Sequence, residues 1–215
     1  HNCAPSISDN TFEDTYIGIQ VDGKQAHGVA EDNKIVGGVY GVICRQESPW
    51  MIRQNRIRDC ELYGILVNGS SPTAVNNTIA GCQKANVAVE LPAAPDIRDN
   101  TICTSTNGIG LYLKQPLGAS NDGERRDASV DSTSSTPSHG AGEAGLSVDG
   151  SPEHARTASI PTAVTKICHN SIEENAIGMF IYGPVGPKHV IVQNQVLRNT
   201  RVGIRVSHGA RCIIG

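Results

Sequence analysis

The feature that most constrains this chain is a recurrence. An Asn is followed two positions later by an apolar residue at Asn10/Phe12, Asn33/Ile35, Asn55/Ile57, Asn77/Ile79, Asn100/Ile102, Asn170/Ile172 and Asn194/Val196. Successive Asn residues are 23, 22, 22, 23, 70 and 24 positions apart. A period of this length marks a repeat architecture: one unit cannot bury its own apolar face, and stacking of units supplies the core. The 70-residue interval departs from an otherwise near-constant period and must hold an insertion.

Two further signatures share the period. Eight or nine residues after the Asn come Gly-Ile-Gln-Val at 18–21, Gly-Val-Ile-Cys at 41–44, Gly-Ile-Leu-Val at 64–67 and Gly-Ile-Arg-Val at 203–206; Asn86, Gly108 and Gly178 open the equivalent steps. Three residues before the Asn stand Ile7, Ala30, Ile52, Ala74, Ile97, Ile167 and Ile191. Each unit thus offers three short strands and three turns. Alternation within each strand sends one set of side chains inward, and the long period stacks like on like. The expected fold is all-β: a right-handed parallel β-helix of about eight coils, a rod on the order of 38 Å long at one strand spacing per coil. A leucine-rich repeat has a similar period, but its Leu-x-x-Leu-x-Leu strand is absent and no segment shows helical spacing. The repeated Asn is expected in a left-handed turn, where its amide can bond the backbone of its own and the next coil.

Composition agrees with a narrow stacked core. Aromatics make up 4% of the 215 residues and Gly numbers 23. With 18 Lys plus Arg against 21 Asp plus Glu, the net charge of −3 gives no global field that favours nucleic acid or an acidic membrane. No stretch approaches the roughly 20 apolar residues of a membrane span. The seven Cys form neither a CxxC pair nor a disulfide scaffold, and they read as buried thiols of a reducing compartment. No signal peptide is visible. The expected setting is therefore intracellular; because the chain begins at His1 inside a repeat, as a fragment that has lost an upstream segment would, secretion is kept as the alternative.

The Asn-x-Ile and Gly-Ile-x-Val pattern resembles the parallel β-helix repeats of the pectin-lyase-like superfamily, over residues 3–113 and 165–215. It is similar to repeats of carbohydrate-active enzymes, of NosD-type periplasmic proteins and of the F-box protein 11 family of ubiquitin-ligase substrate receptors. The resemblance implies the fold, and it implies either polysaccharide chemistry or capture of a protein partner. One β-helix domain, 1–215, is therefore expected, interrupted at 114–165. That segment is rich in Ser, Thr, Gly and acids, as in Asp-Ser-Thr-Ser-Ser-Thr-Pro-Ser-His-Gly, and is expected to be disordered and to loop out from one coil.

Chemistry on such a rod must use outward side chains. The residues before the repeat Asn are Asp9, Asp32, Gln54, Asn76, Asp99, His169 and Gln193. Asp9 and Asp32 would lie one strand spacing apart, close enough to share a proton or a Ca²⁺. The plainer reading, that all seven are polar turn residues, explains why amides and His serve equally well there. Lys34, Arg53, Arg56, Arg58 and Arg98 form a basic strip suited to uronates, with Glu13, Glu31 and Asp59 interleaved as in a solvated mixed face. Asp9, Asp32, Arg53 and Arg56 are the candidates for catalysis. The pectate-lyase pairing of a Ca²⁺-binding acid cluster with a basic residue does not map onto this sequence residue by residue. The His residues lack paired metal-ligand spacing, and no metal or cofactor is expected.

The outward positions of the Gly-Ile-x-Val strand run Gln20, Ile43, Leu66, Ala88, Gly110, Phe180 and Arg205, with Tyr112 and Tyr182 two residues beyond. This stripe is apolar where water is expected, which suits a protein-binding surface or a face covered from within the protein. Ile43, Leu66, Tyr112, Phe180 and Tyr182 are the expected binding residues. A non-catalytic module that holds a protein partner is the first expectation, and an enzyme acting on an acidic polysaccharide is the alternative.

Overall fold

The computed structural model describes residues 4–24, 26–105, 107–115 and 164–215. The expected insertion at 114–165 therefore falls almost wholly outside the described residues. The described residues contain strands and turns and no helix.

Three parallel sheets run the length of the solenoid, with eight, seven and seven strands. Sheet A takes the strand before the Asn, sheet B the strand after it, and sheet C the six-residue Gly-Ile-x-Val strand. In the first coil these are Ser6–Ser8, Thr11–Glu13 and Ile17–Asp22. Seven coils are complete and the strand Ile213–Ile214 opens an eighth, in keeping with the array of about eight coils expected.

The short strands form because a single central apolar residue points inward between two outward neighbours. In Arg56–Arg58 the pattern is exposed, buried, exposed. Ile35, Ile57, Ile79, Ile102 and Ile172 stack into one ladder with at most 1% exposure. Burial of each such side chain contributes about 2–3 kcal/mol, which makes the ladder the main support of sheet B. Sheet A supplies Ala30, Ile52, Ala74, Ile97, Ile167 and Ile191, the six buried members of the series read from the sequence.

The bend between sheets A and B corrects one expectation. The left-handed residue is the one before the Asn: Asp9, Asp32, Gln54, Asn76, Asp99, His169 and Gln193 all have φ between 53° and 58°. The Asn side chain instead turns inward. Asn55, fully buried, donates from its backbone N–H and from Nδ2 to Asn77 Oδ1, both at 3.0 Å. Its Nδ2 also reaches Ala30 O and Arg53 O, each at 2.9 Å. The same links join Asn10, Asn33, Asn55, Asn77, Asn100, Asn170 and Asn194, with each coil donating to the next. One residue makes the turn and points out, so its identity is loosely constrained. The next satisfies buried backbone groups, so it must be Asn.

Candidate functional site

Sheet C presents its outer face as columns running along the rod. One column is Gln20, Ile43, Leu66, Ala88, Tyr112, Phe180 and Arg205. Tyr112, rather than Gly110, is thus the fifth member, and Gly110, rather than Gly108, opens that strand, aligned with Gly178. The cause is corner length: ten residues separate Asn100 from Gly110, where other coils use eight or nine. Tyr182 belongs to a neighbouring column, beside Lys114 and Ser207.

Along this face lies a second apolar cluster, separate from the core. Ile43, Tyr63, Leu66, Ala85 and Ala88 are buried in it, and Tyr40 and Tyr112 pack against them. Ile43 has no exposed surface and Leu66 only 6%, whereas Tyr112, Phe180 and Tyr182 are half-buried. The predicted stripe therefore divides into a sealed half around Ile43 and Leu66 and an accessible aromatic half. At the sealed end Tyr40 lies 6.0 Å from Tyr16 and 6.1 Å from Tyr63. Lys84 lies 4.9 Å from the Tyr63 ring centroid, and its ammonium is held above its ordinary pKa by a hydrogen bond to the Tyr63 hydroxyl. At the accessible end the Tyr112 and Phe180 rings stack at 5.3 Å, Phe180 meets Tyr182 edge-on at 5.9 Å, and Tyr182 contacts His208 at 4.3 Å.

The bend between sheets A and B carries a polar groove of about 460 Å³ lined by Asp32, Lys34, Gln54, Arg56, Asn76 and Thr78. It brings two of the four catalytic candidates, Asp32 and Arg56, onto one surface. Asp9 lies one coil earlier, outside the groove lining. Arg53 is engaged by Glu31, with Nη2 2.5 Å and Nε 2.7 Å from Oε2. Lys34 pairs with Glu13 at 3.3 Å, Arg58 with Asp59 at 3.4 Å, and Arg98 with Asp96 and Asp99 at 3.3 Å each. Among the described residues Arg56 forms no ion pair. The basic strip is thus a mixed face with one guanidinium left over, inside the groove. No group of three His, Cys, Asp or Glu residues among those described is placed to hold a metal ion.

Six cysteines are free thiols, and Cys3 lies outside the described residues. Burial pushes the Cys44 thiol up to about 12. Cys60 and Cys82 occupy the same corner of adjacent coils. Each thiol donates to the carbonyl two residues earlier, Cys60 to Arg58 O at 3.9 Å and Cys82 to Ala80 O at 3.7 Å, and the closeness of the two sulfurs draws Cys60 below its ordinary pKa and, with burial, holds Cys82 above its own. That corner, five residues after the repeat Asn, was not read from the sequence. It holds Ser105, Asn175 and Asn199 in later coils, where Asn175 and Asn199 form a second amide ladder. The recurring small or polar residue at that position was the available signal.

No helix among the described residues is long and apolar enough to cross a membrane. Searches of curated proteins and of solved structures returned no match. The family described as "Right handed beta helix region" matches residues 1–122, more than half of the 215-residue chain. Its fold is the one drawn by the three stacked sheets, and the chain belongs to this right-handed β-helix family.

Proposed function

We propose that this β-helix is a non-catalytic interaction module that holds a protein partner on the outer face of sheet C. The observation that carries the reading is the half-exposed aromatic group Tyr112, Phe180 and Tyr182, set beside the sealed cluster of Ile43 and Leu66. An outward sheet face in water ordinarily alternates to polar residues, and aromatic anchors on a rigid sheet concentrate binding energy at low entropic cost. A second reading, an enzyme acting on an acidic polysaccharide, is favoured by the groove that gathers Asp32 and Arg56. Arg56 there would take a sugar carboxylate, and Asp32 its hydroxyls or a proton.

One paired experiment separates the two readings. Capture from native extract is compared between the parent chain and Phe180→Asp/Tyr182→Asp, with circular dichroism as a check on folding. Depolymerisation of polygalacturonate is followed in parallel with the parent and with Asp32→Asn/Arg56→Ala. The module reading expects a protein retained by the parent and lost from the folded aromatic variant. A partner retained by both would sink it. Depolymerisation by the parent that fails in the groove variant would establish the enzyme instead.

A further inference from the structure

We propose that Cys60 and Cys82 are a redox modification site, a pair of thiols that hydrogen peroxide converts to a disulfide joining two adjacent coils. The backbone sets the pairing. Gln83 N–H donates to Cys60 O and Asp59 N–H to Ala80 O, each at 2.9 Å, which stacks position 60 on position 82 in register. Stacked coils are about 4.8 Å apart, and disulfides join residues whose Cα atoms lie about 4.4–6.8 Å apart. The side chains also point the same way. Cys60 Sγ lies 3.9 Å from Arg58 O and Cys82 Sγ 3.7 Å from Ala80 O, the carbonyl two residues earlier in each case. The cysteines on the strands lack such a neighbour: Cys44 stands between Val21 and Val67, Cys103 between Ala80 and Glu173, and Cys168 between Arg98 and Val192.

Nothing in the corner competes for the two sulfurs. The Ser105 hydroxyl, one coil on, donates to Cys82 O, and the coil before Cys60 has Gly38 at this position. Bonded cysteines need Cβ atoms about 3.5–4.5 Å apart, so closure draws the two corners together by less than about 1 Å. Gly81, left-handed at φ 70°, adjoins Cys82 and gives its backbone that freedom. Both side chains are sealed, but the seal is one residue deep: Asp59 and Glu61 on either side of Cys60 are exposed, as is Gln83 after Cys82. Hydrogen peroxide, little larger than water, suits such access better than a bulky disulfide reagent.

The two thiols divide the work. The nearness of Cys82 holds Cys60 below its ordinary pKa, against burial and the Asp59 carboxylate, while Cys82 is held above its own. Cys60 is therefore the sulfur that ionises and attacks. Its thiolate takes one peroxide oxygen, the O–O bond breaks, and the other oxygen leaves as hydroxide, which the proton given up by Cys60 turns to water. Cys60 is then a sulfenic acid. The Cys82 sulfur attacks the Cys60 sulfur, the S–O bond breaks, and the departing hydroxide takes the Cys82 proton as a second water. Two thiols are oxidised to one disulfide and one peroxide is reduced to two waters. The bond closes a loop of 22 residues from 60 to 82, which restricts the unfolded chain and staples the third coil to the fourth.

The test treats the full chain with hydrogen peroxide under native conditions, blocks the remaining thiols in denaturant, and reads the products by peptide mass spectrometry. A pair of peptides joined through Cys60 and Cys82 and released by dithiothreitol is expected, with a higher urea midpoint for the oxidised chain. Cys82→Ser keeps the attacking sulfur, so dimedone should tag Cys60 in that variant. In Cys60→Ser neither a bond nor a tag at Cys82 should form. Circular dichroism checks that both variants fold, and the parent alone decides if they do not. Cys60 and Cys82 recovered as free thiols from the folded, treated parent overturn the proposal, as does a bond from either to another cysteine. A bond that leaves the urea midpoint unchanged overturns the staple, and a dimedone tag at Cys82 in Cys60→Ser overturns the division of roles.

Discussion

A single residue can occupy this fold in two incompatible ways, and the bend between sheets A and B places both side by side. The left-handed residue faces solvent, so Asp, Asn, Gln and His all serve there. The following Asn is sealed and must meet buried donors and acceptors on both neighbouring coils. His189 shows the same logic with a titratable group. Its half-buried ring accepts the Thr165 N–H at Nδ1, 3.3 Å away, which requires that nitrogen to be unprotonated, and burial lowers its pKa below the ordinary 6.5. Between the folded and unfolded midpoints the unfolded chain holds more protons. This contribution to stability is therefore complete above about pH 6.5 and is lost as pH falls through the folded midpoint. An NMR titration should place the His189 midpoint below that of an unfolded peptide, and His189→Gln should flatten the acid side of the stability profile. A midpoint at or above 6.5 would contradict this account.

At the scale of the strand, one exception explains the rule around it. The second residue of each sheet C strand is Gly except at Asn86. A Cβ on Gly110 would lie 2.8 Å from Asn175 Nδ2, and one on Gly178 would lie 2.7 Å from Asn199 Nδ2, because the corner residue of the next coil fills that space. Above Asn86 the corner residue is Ser105, which is short. The Asn86 amide enters the vacated place. It accepts from Cys82 N–H at 3.0 Å, and donates to Cys103 O at 2.9 Å and to Asn175 Oδ1 at 3.1 Å. An Asn at 105 would make these same bonds. Asn86→Gly alone should cost about 1–3 kcal/mol, by stranding the buried Cys82 N–H. Asn86→Gly with Ser105→Asn should recover most of that in urea unfolding, whereas additive losses would refute the exchange. This pairing was invisible in the sequence, because it links positions in different coils through a vacancy. The strands themselves were legible, since each depends on one inward apolar residue at a fixed distance from an Asn. The corner before Ile109 was not, because loops absorb extra residues without disturbing the stack. That is how Tyr112 came to be placed two residues out of column.

For the whole molecule, the solenoid behaves as a line of neighbours, and local stability follows what stands on either side of each coil. Middle coils are packed above and below. In the seventh coil Ile204 and Val206 are 40% and 47% exposed, although their counterparts Met179 and Ile181 one coil earlier are fully buried. Amide exchange should therefore be fastest in Gln195–Leu197 and Val202–Ser207 and slowest in Tyr63–Asn68 and Ala85–Glu90. Uniform protection across all coils would mean that the rod opens as one unit. The candidate sites divide the same way. Ile43 and Leu66 are sealed and contribute packing, while Phe180 and Tyr182 are half-buried and Arg205 is exposed, so that only the latter group can meet a ligand directly.

The buried amide column also gives the rod an electrical direction. Strand hydrogen bonds run both ways across each sheet and largely cancel, but every link from Asn10 to Asn194 points the same way, coil to following coil. Aligned dipoles reinforce one another in a low-dielectric interior, as peptide units do along an α-helix. Along the described coils the column therefore acts as a side-chain macrodipole perpendicular to the strands, positive toward Asn194 and negative toward Asn10, where the sheet backbone itself carries only a small net dipole.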